Sequence, residues 1–439
     1  MPTVPQQYST TTSGHLPVPS SSRGSLPAEE TQSAPALLHV YECPPYDLSG
    51  GILIARLLDG YPQDRLHVLA GSYMLKRFGG RLACHHISFP QTTHTGRWGL
   101  GRLKHLLELA LLPVLALYCW RVIRRYRIEA VLTIAQNFYC IAAAAGAYLS
   151  RLPLIVVVHD DWPFLMRSPI GMPQAASRWL YRRMMRSASH IYAVSPGMQQ
   201  ALRDDYGVES EVQLPASDAP PATAGPSGAP GTLRVVFAGT LNFATIPGIE
   251  LLVKALKSPA LSEVTWSLDF YGATPQDLRR YGWDDERMHA HGWTPQERLH
   301  AALRAADVLY LPYSFDPAQS RFMQTSFPSK LADYLSAGKP LLICAPPEST
   351  VMAYAQGGGF AEVVDRPSEN LVSAALVRLS ALPDHRQRLG ARAVQVFAEN
   401  HDIVRQREDL RRVVAVLAHD RNPQVARVRV EHKSISKIS

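Results

Sequence analysis

The sequence predicts an α/β protein built from two doubly wound, parallel-sheet domains that face each other across a cleft. Three observations predict it. Almost wholly apolar, β-branched runs of strand length recur with helix-like segments between them, as in parallel sheets covered on both faces. A stretch dominated by Pro, Gly, Ala and Ser, "ASDAPPATAGPSGAPG" at 216–231, then breaks the hydrophobic period. Beyond it the same alternation starts again, and 439 residues exceed one ordinary core.

In chain order, residues 1–35 are rich in Ser, Thr and Pro without the basic-then-apolar order of a signal peptide, so they are expected to be disordered. The first domain, 36–215, carries strand-like runs at 37–45, 66–71, 129–136, 152–160 and 190–196. A linker over 216–231 leads to the second domain, 232–396, with runs at 233–240, 266–274, 308–313, 339–346 and 360–365. Residues 397–420 read as a terminal helix crossing back to the first domain, and 421–439 as a basic, disordered tail.

Composition narrows the function. An apolar fraction of 46% with 19% charge is that of a globular protein, and no run reaches the roughly 20 apolar residues of a spanning helix. The net charge of +8 is skewed by the last nineteen residues, which hold five basic residues against Glu431. A basic balance suits nucleic acid, an anionic membrane or an anionic substrate; the absence of a recognition motif or interleaved stacking aromatics argues against nucleic acid. Five scattered cysteines without a Cys-x-x-Cys pair point to a reducing cytoplasm. With no Asp-x-Asp pair either, no metal and no cofactor are expected.

Doubly wound domains bind ligands outside the carboxyl ends of their strands. The strand-end candidates are Gly50 and Gly51 in "SGG", His159 and Asp160 in "HDD", Gly239 with Thr240, and the stretch "TSFPSKLADYLSAGKPLLI" at 325–343. There Ser326 is expected to cap a helix, with Pro328 in its first turn and Leu331 and Leu335 on one face. Free amides around Ser329, with Arg321 upstream and Lys330 in the first turn, suit a diphosphate, and Asp333 can accept hydrogen bonds from the vicinal hydroxyls of a ribose. His159 can bond a sugar hydroxyl, with Asp160 orienting the ring. The Gly50–Gly51 backbone can approach a phosphate or an acceptor. Two segments suit a membrane surface: "LALLPVLALYCW" at 109–120, and Arg178, Arg182 and Arg186 beside Trp179, Tyr181, Met184 and Met185.

"ADVLYLPYS" followed by "SFPSKLADYLSAGKPLLI" resembles the donor-site signature of glycosyltransferase family 4, retaining sugar transferases of the two-domain GT-B fold. "SGG", "HDD", "HIYAVSPGMQQALRDDYG" and "VVFAGTL" fall in that family's order. The resemblance implies that Asp333 stands where the family has the second Glu of a Glu-x7-Glu motif, on the nucleotide ribose. Thr325 replaces the first Glu, which contacts the donor sugar. Thr240, after Gly239, and Pro247 replace the usual diphosphate cations, leaving Arg321 and Lys330 as substitutes. Trp293 and Thr294, in "HGWTPQERL", fall where the family contacts the base.

The implied activity is metal-independent hexosyl transfer from a nucleoside-diphosphate sugar. The implied acceptor is a lipid-linked intermediate of bacterial surface polysaccharide or glycolipid. The expected location is cytoplasmic, peripheral on the inner face of the membrane. Two rivals stay open: a sugar-nucleotide epimerase on the same scaffold, and a catalytically silent nucleotide-sugar-binding subunit, the latter motivated by Thr240, Pro247 and Thr325.

Overall fold

The apolar runs become the central strands of two parallel sheets, because a strand covered by helices on both faces has no position left for water. A computed structural model describes residues 34–46, 50–89, 101–161, 174–223, 229–283 and 285–419; the segment before residue 34, Ser49, residues 224–228 and the basic tail lie outside the described residues. The first sheet comprises β1 (Leu37–Val40), β2 (Leu66–Gly71), β3 (His85–Phe89), β4 (Ala130–Ile134), β5 (Leu154–Val158), β6 (His190–Ala193) and β7 (Glu211–Val212), in the order β3-β2-β1-β4-β5-β6-β7. The second comprises β8 (Thr232–Ala238), β9 (Thr265–Tyr271), β10 (Met288–Gly292), β11 (Val308–Pro312), β12 (Leu341–Cys344) and β13 (Ala361–Val364), in the order β10-β9-β8-β11-β12-β13. Every pairing is parallel.

In both sheets the strand order reverses between the first strand and its crossover neighbour, β1 with β4 and β8 with β11. Those two points, at the carboxyl ends, are where the fold opens a crevice. The helices that line or support it are α1 (Gly50–Leu58), α2 (Gly101–Arg125), α3 (Tyr139–Ser150), α4 (Gln174–Ser187), α5 (Pro196–Tyr206), α6 (Gln296–Arg304), α7 (Ser320–Thr325), α8 (Lys330–Ser336), α9 (Pro383–Asn400) and α10 (Ile403–His419). Among the described residues no helix is long and apolar enough to cross a membrane.

Strands β3, β7 and β10 carry no continuous apolar run. β3 and β10 are edge strands, β3 with three of its five residues exposed and β10 with only Met288 buried, and β7 has two residues. The terminal segment is two helices: α9 ends at Asn400, and α10 begins at Ile403. The break falls where Asp402 bridges Ser217 of the interlobe connection. Leu410, Val413, Val414 and Leu417 of α10 pack with Ile54, Leu57 and Leu132 of the first lobe.

The lobes are in close contact. One buried apolar cluster runs from Val131 and Val156 through Met198, Met323 and Phe327 to Leu309 and Leu341. Ser195, the N-cap of α5, accepts from Met198 N at 2.9 Å and donates to the Thr325 carbonyl at 2.6 Å. Beside it, a Cβ on Gly197 would run into the carbonyl oxygen of Gln324.

Two buried histidines stay neutral in this fold. Burial lowers His39 and His401 to about 4. His401 Nδ1 donates to Pro215 O at 2.6 Å, so Nε2 is the acceptor for Tyr354 OH at 2.9 Å. Both folded values lie below the unfolded one near 6.5, so the unfolded chain binds more protons between the two. The stability these rings confer is therefore complete above about pH 6.5 and is lost as pH falls toward about 4, up to about 3 kcal/mol for each ring. Denaturant titrations at about pH 7 and about pH 4.5 should record that loss, and a smaller one in His401→Gln.

The lobe contact has a test of opposite sign. Alanine for glycine inside an exposed helix stabilises by roughly 0.5–1 kcal/mol. Gly197→Ala should instead destabilise by about 1–3 kcal/mol in a denaturant melt, through the steric clash with α7.

Candidate functional site

Four segments from both lobes converge on one carboxylate. Asp333 is the fourth residue of α8, and its Oδ1 accepts from Arg56 Nη2 at 2.8 Å and from Ser217 Oγ at 2.6 Å. His300 Nε2 of α6 lies 3.4 Å from the same oxygen. Arg56, in the last turn of α1, also donates to Ala216 O at 3.1 Å and to Gln296 Oε1 at 2.9 Å, and its Nε lies 3.2 Å from Asp218. Arg56 is 1% exposed and Asp333 2%. Burial alone would raise the Asp333 carboxyl; the Arg56 guanidinium, with His300, Lys330 and Ser217, outweighs burial and holds it well below the usual carboxylate range. Asp333 is thus ionised and already engaged, where the sequence suggests an open acceptor for ribose.

A second charge cluster ties α7 to the first lobe. Arg321 Nε donates to Asp161 Oδ2 at 2.7 Å, and its Nη2 contacts both Asp161 and Asp205. Asp161 follows β5, and Asp205 lies in the last turn of α5. One guanidinium between two carboxylates leaves a local excess of negative charge, so in this arrangement Arg321 offers little to a diphosphate. Lys330, half-buried, opens α8 one turn before Asp333.

The capping expectation is corrected. Ser326 terminates α7 with an extended backbone, and α8 starts only at Lys330, behind Ser329, whose side chain makes no cap bond. Pro328 is the reason: it biases the preceding residue away from helix, and Leu331 N closes a turn on the Pro328 carbonyl instead. Ser326 Oγ lies 3.3 Å from Tyr313 OH, and the Thr325 hydroxyl donates back to Arg321 O at 2.9 Å. α8 has seven residues, so any grip on an anion falls mainly to Lys330 and individual amides.

His159 follows β5, half-buried, and burial lowers its ring to about 4, which leaves it neutral near pH 7. Asp160 does not turn to it as the sequence suggests. Its Oδ2 accepts from Gln136 Nε2 at 2.8 Å, while Gln136 Oε1 accepts from Tyr41 OH at 2.5 Å, and burial raises its carboxyl. Gly51 packs under the Tyr46 ring, where a Cβ would lie 2.5 Å from Cδ1; Gly50 opens α1. At the end of β8, Gly239 N donates to Tyr271 O at 2.9 Å, and the Thr240 carbonyl accepts from Thr245 Oγ1 at 3.0 Å. Trp293, 65% exposed, and Thr294 form the turn before α6, three residues and two residues from the Gln296 that bonds Arg56.

Sequence reasoning missed Arg56, Asp205, Ser217, Gln296 and His300. Arg56 left a signal, a cation inside the apolar run "ILIARLL", and His300 a weaker one, an imidazole inside "LHAAL"; Asp205, Ser217 and Gln296 sit among polar or turn-forming residues that mark nothing.

Residues 81–214 match the model of glycosyltransferase family 4. No curated protein matches the chain at a significant level. Among solved structures, HepE of Anabaena in complex with UDP and glucose is similar at 14% identity and a TM-score of 0.59, over 87% of this chain and 99% of that one. A glycosyltransferase of Rickettsia africae matches at 12% identity and 0.61, over 86% and 97%. A UDP-forming α,α-trehalose-phosphate synthase of Burkholderia xenovorans, in complex with glucose-6-phosphate, matches at 13% and 0.61, over 86% and 99%. The chain has the GT-B fold, and its residues 81–214, within the first lobe, match the family 4 glycosyltransferase model.

Proposed function

We propose that the protein is a retaining glycosyltransferase that moves a hexosyl group from a nucleoside diphosphate to an acceptor hydroxyl without a metal ion. One observation supports the reading: at the interlobe face of a GT-B fold, an ionised Asp333, Lys330 one turn before it and the turn ending at Gln296, which meets the same Arg56, bring together groups suited to ribose, diphosphate and base once Arg56 withdraws. HepE binds UDP and glucose in its structure, so uridine donors are the first to try.

In the reaction the acceptor oxygen bonds to the sugar C1 as the C1–O bond to phosphate breaks, on the same face, and the acceptor proton passes to the departing phosphate oxygen. Negative charge grows on the diphosphate, where Lys330, and Arg321 once released from its two acids, would meet it. Neutral His159 would hold a hydroxyl of the donor sugar, and Asp333 the ribose diol.

The acceptor side favours a lipid-linked intermediate of surface polysaccharide or glycolipid, at the inner face of the membrane. Val114 and Leu117 on α2, and Tyr148 and Leu149 on α3, are exposed apolar residues on packed neighbouring helices, with Arg121 and Arg124 exposed on α2. Such a face suits anionic lipid. The α4 stripe contributes less than its sequence suggests, because Tyr181, Met184 and Met185 are core residues and only Trp179 of its apolar set is exposed.

A panel of UDP-, GDP-, ADP- and dTDP-sugars followed by thermal shift should yield at least one stabilising donor. Lys330→Ala and Asp333→Asn should each weaken that donor about tenfold or more, about 1.4 kcal/mol. No response to any donor would refute the site, and epimerised sugar nucleotide formed without acceptor would favour the epimerase. For the membrane, co-sedimentation with phosphatidylglycerol vesicles should fall severalfold in Leu117→Ser/Leu149→Ser; retention of the doubly substituted protein at wild-type level would rule this face out.

A further inference from the structure

Two of the three charged groups assigned to the donor, Asp333 and Arg321, are held by partners from the opposite lobe. Asp333, in the second lobe, is held by Arg56 of the first. Arg321, in the second lobe, is held by Asp161 and Asp205 of the first. The Arg56–Asp333 pair is almost inaccessible, at 1% and 2% exposure, so ribose hydroxyls cannot reach the carboxylate that Arg56 occupies unless the guanidinium withdraws. Around these pairs the lobes are in steric contact at Gly197 and Gln324 and bonded at Ser195 and Thr325.

We infer that these interlobe ion pairs are a latch that closes the donor-free protein over its own donor site, so that a nucleoside diphosphate binds by breaking them. The inference rests on the donor site proposed above. Arg56 takes the position of the ribose diol on Asp333, and the Asp161–Asp205 pair takes the position of the diphosphate on Arg321. The latch imposes a conformational cost on binding: the apparent affinity falls by the fraction of molecules that are open. On Arg321 the diphosphate replaces the two carboxylates as counter-charge, whereas on Asp333 a neutral diol replaces the guanidinium, so opening also returns Arg56 to water. Interlobe pairing and donor binding are then mutually exclusive uses of the same two side chains.

The test releases the Arg321 pair without touching a residue assigned to the donor. Asp161→Asn/Asp205→Asn keeps shape and an accepting oxygen but removes both charges. Asp205→Asn alone serves if the double substitution does not fold, because Asp205 is 43% exposed. Small-angle X-ray scattering of donor-free protein should give a larger radius of gyration for the substituted protein than for wild type, and calorimetric titration with UDP, GDP, ADP and dTDP should show a nucleotide bound up to about tenfold more tightly. Arg321→Gln should expand the protein equally while weakening the nucleotide, a reversal of sign that a merely structural role for the three residues does not produce. An unchanged radius of gyration, or unchanged or weaker nucleotide binding in a folded substituted protein whose wild type binds, would overturn the latch. Expansion with no nucleotide bound by either protein would leave the latch standing and refute the donor assignment.

Discussion

The buried ion pair between Arg56 and Asp333 is the constraint on which the relation of the two lobes depends. Removing two charges from water costs several kcal/mol per ion, and a pair recovers this only with good geometry and further hydrogen bonds. Here Ala216 O, Gln296 and Asp218 complete the guanidinium, while Ser217 and His300 attend the carboxylate. These partners come from α1, the interlobe connection, α6 and α8, so a shift of either lobe leaves a desolvated charge without its counter-ion. Breaking one side of such a pair typically costs about 3–5 kcal/mol. The pair thus sets a defined separation between lobes that apolar packing alone would leave free to slide.

The rest of the interlobe contact is consistent with that arrangement. The helix α5 starts with Ser195 bonded across to Thr325, and α7 returns Arg321 to Asp161 and Asp205. The terminal helix α10 holds the back of α1 through Arg407, whose Nε donates to the Arg56 carbonyl at 2.7 Å. His401 pins the connection at Pro215. The side chain that meets Asp333 and the backbone that meets α10 therefore belong to the same residue, so the crossing helix and the crevice are mechanically linked through one turn of α1.

What could be read beforehand follows burial. β1, β4 and β5 are buried along their whole length, and β8 is buried over its last four residues, so their β-branched runs were visible; β3 and β10 are half-exposed edges whose His-containing, alternating patterns resemble loops. The crevice was legible because strand ends are fixed by fold class, and Asp333 and Arg321 were singled out by spacing. Their partners were not, because a cross-lobe contact such as Arg56 with Asp333 joins residues 277 apart in the chain and leaves no local pattern. The misplaced cap at Ser326 shows the limit of local rules: a Ser before a Pro reads as a helix start, yet the proline sits inside a turn between two short helices. Tyr181, Met184 and Met185 looked available to lipid until the packing of α4 buried them.

Hydrogen–deuterium exchange of the intact protein with and without UDP tests the central claim most directly, because it reads both sides of the Arg56–Asp333 pair at once. If that carboxylate exchanges a guanidinium for a ribose, UDP should slow exchange in peptides covering residues 325–336 and speed it in those covering 50–58. Protection confined to other parts of the second lobe, with both of these segments unchanged, would contradict it.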